Sequence, residues 1–424
     1  MTTDQPPQAG RPRWGATGLV LLVGVVVVAV LVGAGLLAWS LTSDDPYVAP
    51  TPKVVHPSVD PEQAASTLEA FEKAVRTHDV DAAEALAPEG DDDAEAWLAA
   101  VVRNAEKLRL ADVSLRYVTD LGTPGSDGEW DAAVDSTWRM RGFDRHAATA
   151  EIGFHLRDDG DRVALTGAGS SDGVWPLWLH GPLQVRRTAD TLVLVDGSAA
   201  EARVVAARAR TAVPQVRRVL PAWQQGLVVE VPASVRDLER TLDADKGTYD
   251  QIAAVTTSVD GTTAPSAPVH VFVNPDVYDT LKPTGAQVVM THESTHVATG
   301  AWTSQMPLWL LEGFADYVAL RDVDLPVSRT ASQIIAQVRK DGPPRALPSS
   351  ADFGTRTPDL GATYESAWLV CRLLAERGGE DALVSFYRAM DGGTALGTAL
   401  EQSFGMSVAE LTQAWRTELT GLAS

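Results

Sequence analysis

The sequence predicts an α+β protein preceded by a single transmembrane helix, and three observations support this prediction. Residues 14–43 carry no charge and are dominated by Val, Leu, Gly and Ala. Helical periodicity from residue 61 is followed by alternating strand-like segments up to residue 167, an order typical of α+β folds. Short strands beyond residue 179 then give way to helices. We therefore predict an α+β first domain and a second domain with a small mixed sheet and a mostly helical C-terminal half.

The uncharged segment 14–43 is long enough to cross a bilayer, which requires about 20 apolar residues. It is longer than the core of a signal peptide and ends without a clean cleavage site. Arg11 and Arg13 precede the segment and Asp44 and Asp45 follow it, so the positive-inside rule places the N-terminus in the cytoplasm. We expect a single-pass protein of the cell membrane with an extracellular ectodomain, and removal of the anchor by cleavage is the alternative.

Five parts follow from this organisation. They are a cytoplasmic tail (1–13), a transmembrane signal anchor (14–43), a Pro-rich stalk (44–60), an α+β domain (61–178) and a second folded domain (179–424). The order of elements in residues 61–178 resembles the NTF2-like fold, in which N-terminal helices wrap a curved sheet. This resemblance implies either a ligand cavity or a structural spacer that docks partners, and the sequence does not identify the ligand or partner.

The composition excludes several functions. The formal net charge of −21, from 35 Lys and Arg against 56 Asp and Glu, repels phosphate backbones, so we expect no nucleic-acid partner. Cys371 is the one cysteine of the chain, which excludes an internal disulfide and a metal site built from several cysteines. Its apolar neighbours predict a small buried side chain rather than a nucleophile.

The helix predicted after a β-hairpin contains the sequence His292-Glu293-Ser294-Thr295-His296. Side chains four residues apart lie on one face of a helix, so both imidazoles can bind one metal ion. Glu293 follows the first histidine directly and falls beside the open coordination position, where a general base is needed. Catalytic zinc sites keep such an open position beside three protein ligands. The segment therefore predicts a hydrolytic zinc site, and two histidines on a solvated helix face are the alternative.

The third ligand of this site has to come from a later segment. A metzincin would place a histidine six residues after His296, where the sequence has Trp302. Glu312 lies sixteen residues after His296, in a mostly apolar helix that is predicted to begin near Pro307. A buried carboxylate is costly unless it is paired or bound to a metal, so Glu312 is the candidate third ligand. Asp316, one turn later, is placed to accept the distal N–H of a ligating histidine.

This pattern resembles the gluzincin zinc metallopeptidases, the superfamily that contains thermolysin and the M1 aminopeptidases. The closer likeness is to the peptidase MA-like domains of exported bacterial proteins. It rests on the H-E-x-x-H segment followed by W-L-x-E-G-x-A-x-Y over residues 309–317. The resemblance implies one Zn²⁺ per chain, bound by His292, His296 and Glu312, with Asp316 as the carboxylate that orients a ligand.

By the same resemblance, a tyrosine downstream of the ligands stabilises the tetrahedral intermediate. Tyr364 is the candidate, because it opens a helix in the sequence Thr363-Tyr364-Glu365-Ser366-Ala367. Tyr317 is the alternative donor, and for each ring a packing role is equally expected.

The expected function is zinc-dependent hydrolysis of a peptide or protein substrate, in which Glu293 takes a proton from the attacking water and delivers it to the leaving amine. Strand Pro268–Val273 is predicted to present an edge that pairs with an extended peptide, and His270 on this strand is expected to be a sheet-face residue. No exopeptidase motif precedes the zinc helix, so the sequence leaves endo- and exopeptidase activity open. The alternative is a membrane-anchored binding or scaffold protein whose peptidase-like domain is catalytically silent.

Overall fold

The computed structural model describes residues 59–125, 127–169, 173–354, 357 and 359–424. In these ranges no helix is long and apolar enough to cross a membrane. The longest of them, Ala199–Val219, carries five arginines. This finding contradicts the transmembrane helix of the predicted fold class and the predicted cell-membrane localisation, and both are corrected. The predicted span itself, residues 14–43, lies outside the described residues.

The first part of the described chain consists of helices followed by an antiparallel sheet. Its elements are α1 (Pro61–Thr77), α2 (Val80–Glu84), α3 (Asp92–Leu108), β1 (Leu110–Leu121), β2 (Glu129–Met140), β3 (Ala148–Asp158) and β4 (Val163–Ala168). Asp60, Asp79 and Asp91 begin the three helices, and each side chain accepts the backbone N–H three residues later. Such caps satisfy helix donors that lack an intrahelical partner. The four strands pair in chain order.

A second, mixed sheet follows. Its strands are β5 (Gln184–Arg187), β6 (Thr191–Val195), β7 (Leu227–Val231), β8 (Ala254–Ser258) and β9 (Val269–Val273), and the helices between them are α4 (Ala199–Val219) and α5 (Val235–Thr241). The spatial order is β5-β6-β7-β9-β8, in which β6, β7 and β9 run parallel and the two outer strands are antiparallel. The α+β class of the prediction is confirmed, with one antiparallel and one mixed sheet.

The order of the strands shows that the predicted peptide-binding edge, Pro268–Val273, was wrong. β9 has a neighbour on each side, because Val271 pairs with Val229 of β7 and with Thr256 of β8. The segment Pro268–Val273 is therefore internal, and β8 is the edge strand on this side of the sheet.

The mixed sheet is covered on both faces. On β6, Val193 and Val195 belong to a core shared with the later helices, whereas Leu192 and Leu194 belong to the core of α1–α3 and the antiparallel sheet. Parallel strands buried on both faces are expected to be continuously apolar, as Thr191–Val195 nearly is. One apolar core thus extends across the predicted boundary between residues 178 and 179, and the domain limits stay a prediction.

The C-terminal half is helical. Its helices are α6 (Pro275–Tyr278), α7 (Pro283–Thr299), α8 (Leu308–Leu320), α9 (Val327–Thr330), α10 (Ser332–Asp341), α11 (Leu360–Gly378), α12 (Glu380–Asp391), α13 (Leu396–Phe404) and α14 (Val408–Ala423). Short 3₁₀ turns occur at Leu177–Leu179, Ala301–Thr303 and Ser350–Phe353. The sequence predicted most of these helices but neither the four-residue α6 nor α13, whose nine residues include a glycine and a threonine, both poor helix formers.

A buried ion network joins the mixed sheet to the loop after β2. His270 of β9 makes a 2.6 Å contact with Glu230 of β7 and a 2.9 Å contact with Asp144. All three side chains are buried. Burial alone lowers the pKa of His270, but Asp144 and Glu230 outweigh burial and raise it to about 9. His270 is thus a sheet-face residue, as predicted, with charged partners that the sequence did not reveal.

Because of this network, we expect the free energy of unfolding to fall in mildly alkaline solution. The pKa of His270 is about 9 in the folded protein and 6.5 without interactions. Its stabilisation is therefore fully present below about pH 6.5 and is lost as the pH rises through about 9. At about 1.4 kcal/mol per pKa unit, the loss is about 3 kcal/mol. Urea unfolding at a series of pH values measures it.

The matched control is His270→Gln, which keeps a polar side chain but does not titrate. We expect the variant to be less stable than the parent at pH 6.5 by about 3–5 kcal/mol, because two buried carboxylates lose their cation. Between pH 6.5 and 9.5 its free energy of unfolding should decline less steeply than that of the parent. Parallel curves for the two proteins would show that His270 does not titrate in this range.

Candidate metal centre

Helix α7 places the two motif histidines on one face. It begins at Pro283, whose missing N–H costs nothing in a first turn, and Gly300 ends it in the left-handed conformation at φ 69°. His292 and His296, four residues apart, stand one above the other. Their ring centroids are 4.6 Å apart.

The part of helix α7 from Met290 to His296 is mostly buried although it is rich in hydroxyl side chains. Ser294 donates to the carbonyl oxygen of Met290 at 2.6 Å, and Thr295 donates to that of Thr291 at 2.8 Å. Thr291 also contacts Gln215 of α4 at 2.8 Å. Because these hydroxyls are hydrogen-bonded, their burial carries little penalty. The helix can therefore pack into the core while the two imidazoles face the site.

Helix α8 brings the third candidate ligand to the same point. Glu312 and Asp316 are four residues apart on this helix and share one face. Gly313, next to Glu312, packs on helix α11: a Cβ atom built on it would lie 2.4 Å from the carbonyl oxygen of Ala367. Only a residue without a side chain permits this approach. Gly313 thus allows α8 to pack close to α11.

Three candidate ligand atoms converge. Nε2 of His292 is 2.9 Å from Nε2 of His296, and these nitrogens are 3.2 Å and 3.4 Å from Oε2 of Glu312. Nδ1 of His292 lies 2.8 Å from Oδ1 of Asp316. The Asp316 carboxylate oxygen is placed to accept the N–H of this nitrogen. In the neutral imidazole, Nε2 is then the atom of His292 that can bind a metal ion at the centre of the cluster.

These side chains fit a divalent cation. Among the described residues, His292, His296 and Glu312 form a group whose ligand atoms all lie within 4.8 Å of one another. Two imidazole nitrogens and one carboxylate oxygen at this spacing are held together by a shared proton or by a cation that lies between them. The donor set is one that zinc accepts in catalytic sites.

The charges at the cluster keep Glu312 ionised, as a carboxylate metal ligand has to be. Burial acts to raise the pKa of the Glu312 carboxyl, but the imidazoles of His296 and His292 outweigh burial and hold this pKa well below its usual range. Glu312 is therefore ionised although it is largely buried.

Glu293 points to a different partner. Its carboxylate oxygen Oε2 accepts a hydrogen bond of 2.7 Å from the hydroxyl of Thr256 on β8. Burial raises the pKa of Glu293, and the nearby imidazoles of His292 and His296 and the Thr256 hydroxyl oppose that rise only in part. A raised carboxyl pKa brings this group closer to the range in which a general base works at neutral pH.

The structure separates the two candidate tyrosines. Tyr364 of α11 has its ring centroid 6.3 Å from that of His292 and packs edge-on against Phe353. Burial, with the charges of Glu312 and other carboxylates, raises its pKa, so its hydroxyl stays protonated. Tyr317 instead donates to Glu380 at 3.0 Å.

Sequence reasoning missed three residues that hold this arrangement. Thr256 contacts Glu293 across 37 residues of chain, and no local pattern predicts such a pairing. Gly313 could have been noticed, since a glycine inside an apolar helix often marks a close contact. Glu365 accepts the backbone N–H groups of Gln333 and Ile334 at 2.8 Å each, which ties the start of α10 to α11.

Comparisons with known proteins give no sequence match and a distant structural similarity. No model of a known protein family and no curated protein sequence matches the chain. Among solved structures, the chain is similar to a mutant M1 zinc metallopeptidase from Deinococcus radiodurans, with 14% sequence identity and a TM-score of 0.32. The match covers 72% of this chain and 60% of that chain. Such a distant similarity establishes no family, so the gluzincin assignment stays a prediction and we argue function from the site geometry.

The contact at Gly313 predicts a coupled loss of stability and metal. In Gly313→Ala the new methyl group meets the backbone of Ala367, which cannot move aside as a side chain would. We expect about 1–3 kcal/mol of destabilisation from overpacking. We also expect weaker zinc binding, because α8 carries Glu312. Urea unfolding and metal analysis of the purified full chain measure the two effects.

Gly285→Ala is the matched control on helix α7. A Cβ atom there would lie 3.9 Å from Leu281, an ordinary contact, so a gain of about 0.4–1 kcal/mol is expected from the stiffer unfolded chain. Equal effects of the two substitutions would contradict a special role for the α8–α11 contact.

Proposed function

We propose that this protein is a zinc-dependent peptidase. The observation that carries the proposal is the convergence of His292, His296 and Glu312 beside the carboxylate of Glu293. A ligand cluster alone would fit a structural site, but structural zinc sites are closed by four protein ligands. In the described chain this cluster has three.

Each side chain then has a definite task. His292, His296 and Glu312 hold the ion, and Asp316 fixes the tautomer of His292. Zinc, when bound, supplies Lewis-acid polarisation and lowers the pKa of a water molecule. Glu293 takes the proton of the attacking water and delivers it to the leaving amine.

Tyr364 is the proposed donor to the oxyanion that forms at the scissile carbonyl. Its hydroxyl stays protonated, and its ring centroid lies 6.3 Å from that of His292. Donors already in place where charge develops are among the largest contributors to such catalysis. Tyr317 is disfavoured for this task because its hydroxyl is engaged by Glu380.

The edge strand β8 suits an extended peptide substrate. It is the outer strand of the mixed sheet on the α7 side, and its Thr256 touches Glu293. Main-chain hydrogen bonds to a sheet edge give affinity without demanding a particular sequence. We propose that peptides pair with β8, in place of the segment Pro268–Val273 expected from the sequence.

The first test separates metal binding from chemistry. Glu293→Gln should retain one zinc per chain and lower turnover about 100- to 10,000-fold, since only the base is removed. His292→Ala and Glu312→Ala should lose zinc and activity together. Mass-spectrometric metal analysis and hydrolysis of fluorescein-labelled casein and quenched fluorescent peptides are the measurements.

Two outcomes would contradict the proposal. A folded, zinc-supplemented parent without stoichiometric metal would exclude the zinc site. A parent that binds zinc but cleaves neither casein nor any peptide, as Glu293→Gln does, would favour the catalytically silent binding protein.

A second test addresses the tyrosines. Tyr364→Phe should lower kcat about 100- to 1,000-fold with KM little changed, because an oxyanion donor acts in the transition state. Tyr317→Phe is the comparison variant, since it removes the competing hydroxyl. The reverse pattern, with kcat lowered only by Tyr317→Phe, would transfer the role to Tyr317.

A further inference from the structure

Thr256 occupies a special position in the edge strand β8. Its hydroxyl lies 2.7 Å from Oε2 and 3.1 Å from the backbone oxygen of Glu293. A threonine hydroxyl has one proton to donate. The shorter contact goes to the carboxylate, and hydrogen bonds to charged groups are the stronger kind.

The pairing of β8 with β9 explains why Thr256 faces the helix. In an antiparallel pair, alternate residues turn their backbone groups to the partner strand. Ala253 accepts from the N–H of Asn274, and the N–H of Val259 donates to Pro268. Residues at odd positions thus bond to β9, and Thr256 turns its backbone to the open edge. Its side chain lies on the sheet face that carries Val271 and the core of α7.

The hydrogen bond restrains a side chain that would otherwise have many conformations. A free glutamate loses conformational entropy when it is held in one rotamer. The described residues provide no side-chain hydroxyl other than that of Thr256 within hydrogen-bonding distance of this carboxylate. The bond to Oε2 leaves Oε1 without a donor among those residues, so Oε1 is available to accept a proton.

We propose that Thr256 is a positioning residue, which holds the Glu293 carboxylate in the orientation from which it takes a proton from water. This inference rests on the proposed peptidase function. Thr256 does not react, and it acts through Glu293. Because it belongs to the strand on which the peptide is proposed to dock, it also fixes the distance between the docked peptide and the base.

The test compares three variants of the full chain. Thr256→Val has nearly the same shape and loses only the hydroxyl, whereas Thr256→Ser keeps the hydroxyl and loses a methyl group. Thr417→Val is the control, since this exposed threonine of α14 belongs neither to β8 nor to the site, and its hydroxyl donates only to the carbonyl oxygen of Gln413 in its own helix. The measurements are kcat and KM on a cleaved fluorescent peptide, zinc content, the thermal midpoint and crystal structures.

We expect Thr256→Val to lower kcat about 10- to 100-fold, the size of the loss when a partner that orients a metal ligand is removed. KM, zinc content and the thermal midpoint should stay at the parent values. Thr256→Ser should recover most of the lost kcat, and Thr417→Val should behave as the parent. In the Thr256→Val crystal structure, the Glu293 carboxylate should leave its parent position.

Other results would overturn the inference. A parental kcat in Thr256→Val, or equal losses in Thr256→Val and Thr256→Ser, would deny the hydroxyl a role. A lowered thermal midpoint or zinc content that accounts for the loss would make Thr256 merely structural. If the parent cleaves no peptide, the proposed function fails separately, and the crystal structures still decide: an unmoved Glu293 carboxylate in Thr256→Val overturns the positioning role.

Discussion

The close approach of α8 to α11 at Gly313 is the constraint on which the candidate metal centre depends. Successive residues of a helix project about 100° apart. Once Gly313 is pressed against the backbone of Ala367, Glu312 is turned away from α11 toward α7, where the histidines lie. Asp316 follows one turn later on the same face. The contact between Gly313 and Ala367 therefore helps to orient both Glu312, the third candidate ligand, and Asp316, which contacts His292.

The mixed sheet fixes the other side of the site. Its strands β6, β7 and β9 are buried on both faces, so a shift of register would disrupt the close packing of side chains on each face. The network of His270, Glu230 and Asp144 adds a polar constraint between β7, β9 and the loop after β2. Replacement of such a whole network by apolar side chains is often neutral or stabilising, whereas removal of one charged partner is strongly destabilising. With β9 fixed, β8 and its Thr256 are held against α7.

The sequence predicted those features that depend on local spacing. His292, Glu293 and His296 needed only the periodicity of a helix, and Glu312 with Asp316 needed only the cost of buried charge. The alternation of β1–β4 and most C-terminal helices were equally local. The strand order was not predictable. The hairpin signal indicates that β8 and β9 pair, but it gives no information on β7, which lies on the other side of β9. The partners of His270 and Glu293 were missed for the same reason, since they are distant in sequence.

The transmembrane prediction failed for another reason. It was based on residues 14–43 alone, and the described part of the chain has no helix of comparable length and hydrophobicity. The helices that are long enough carry charges or pack on the core with one face, as α4 and α11 do.

The two glutamates of the site have different pKa shifts because their surroundings differ. Glu312 faces two imidazoles, which lower its carboxyl pKa despite burial, so it suits a permanently ionised ligand. Glu293 is buried as well, but the positive charge near it does not offset burial and its pKa is raised. Environments that separate the pKa values of two carboxyls are typical of sites where one binds and the other exchanges protons. The position of each glutamate on its helix, rather than its chemistry, makes the difference.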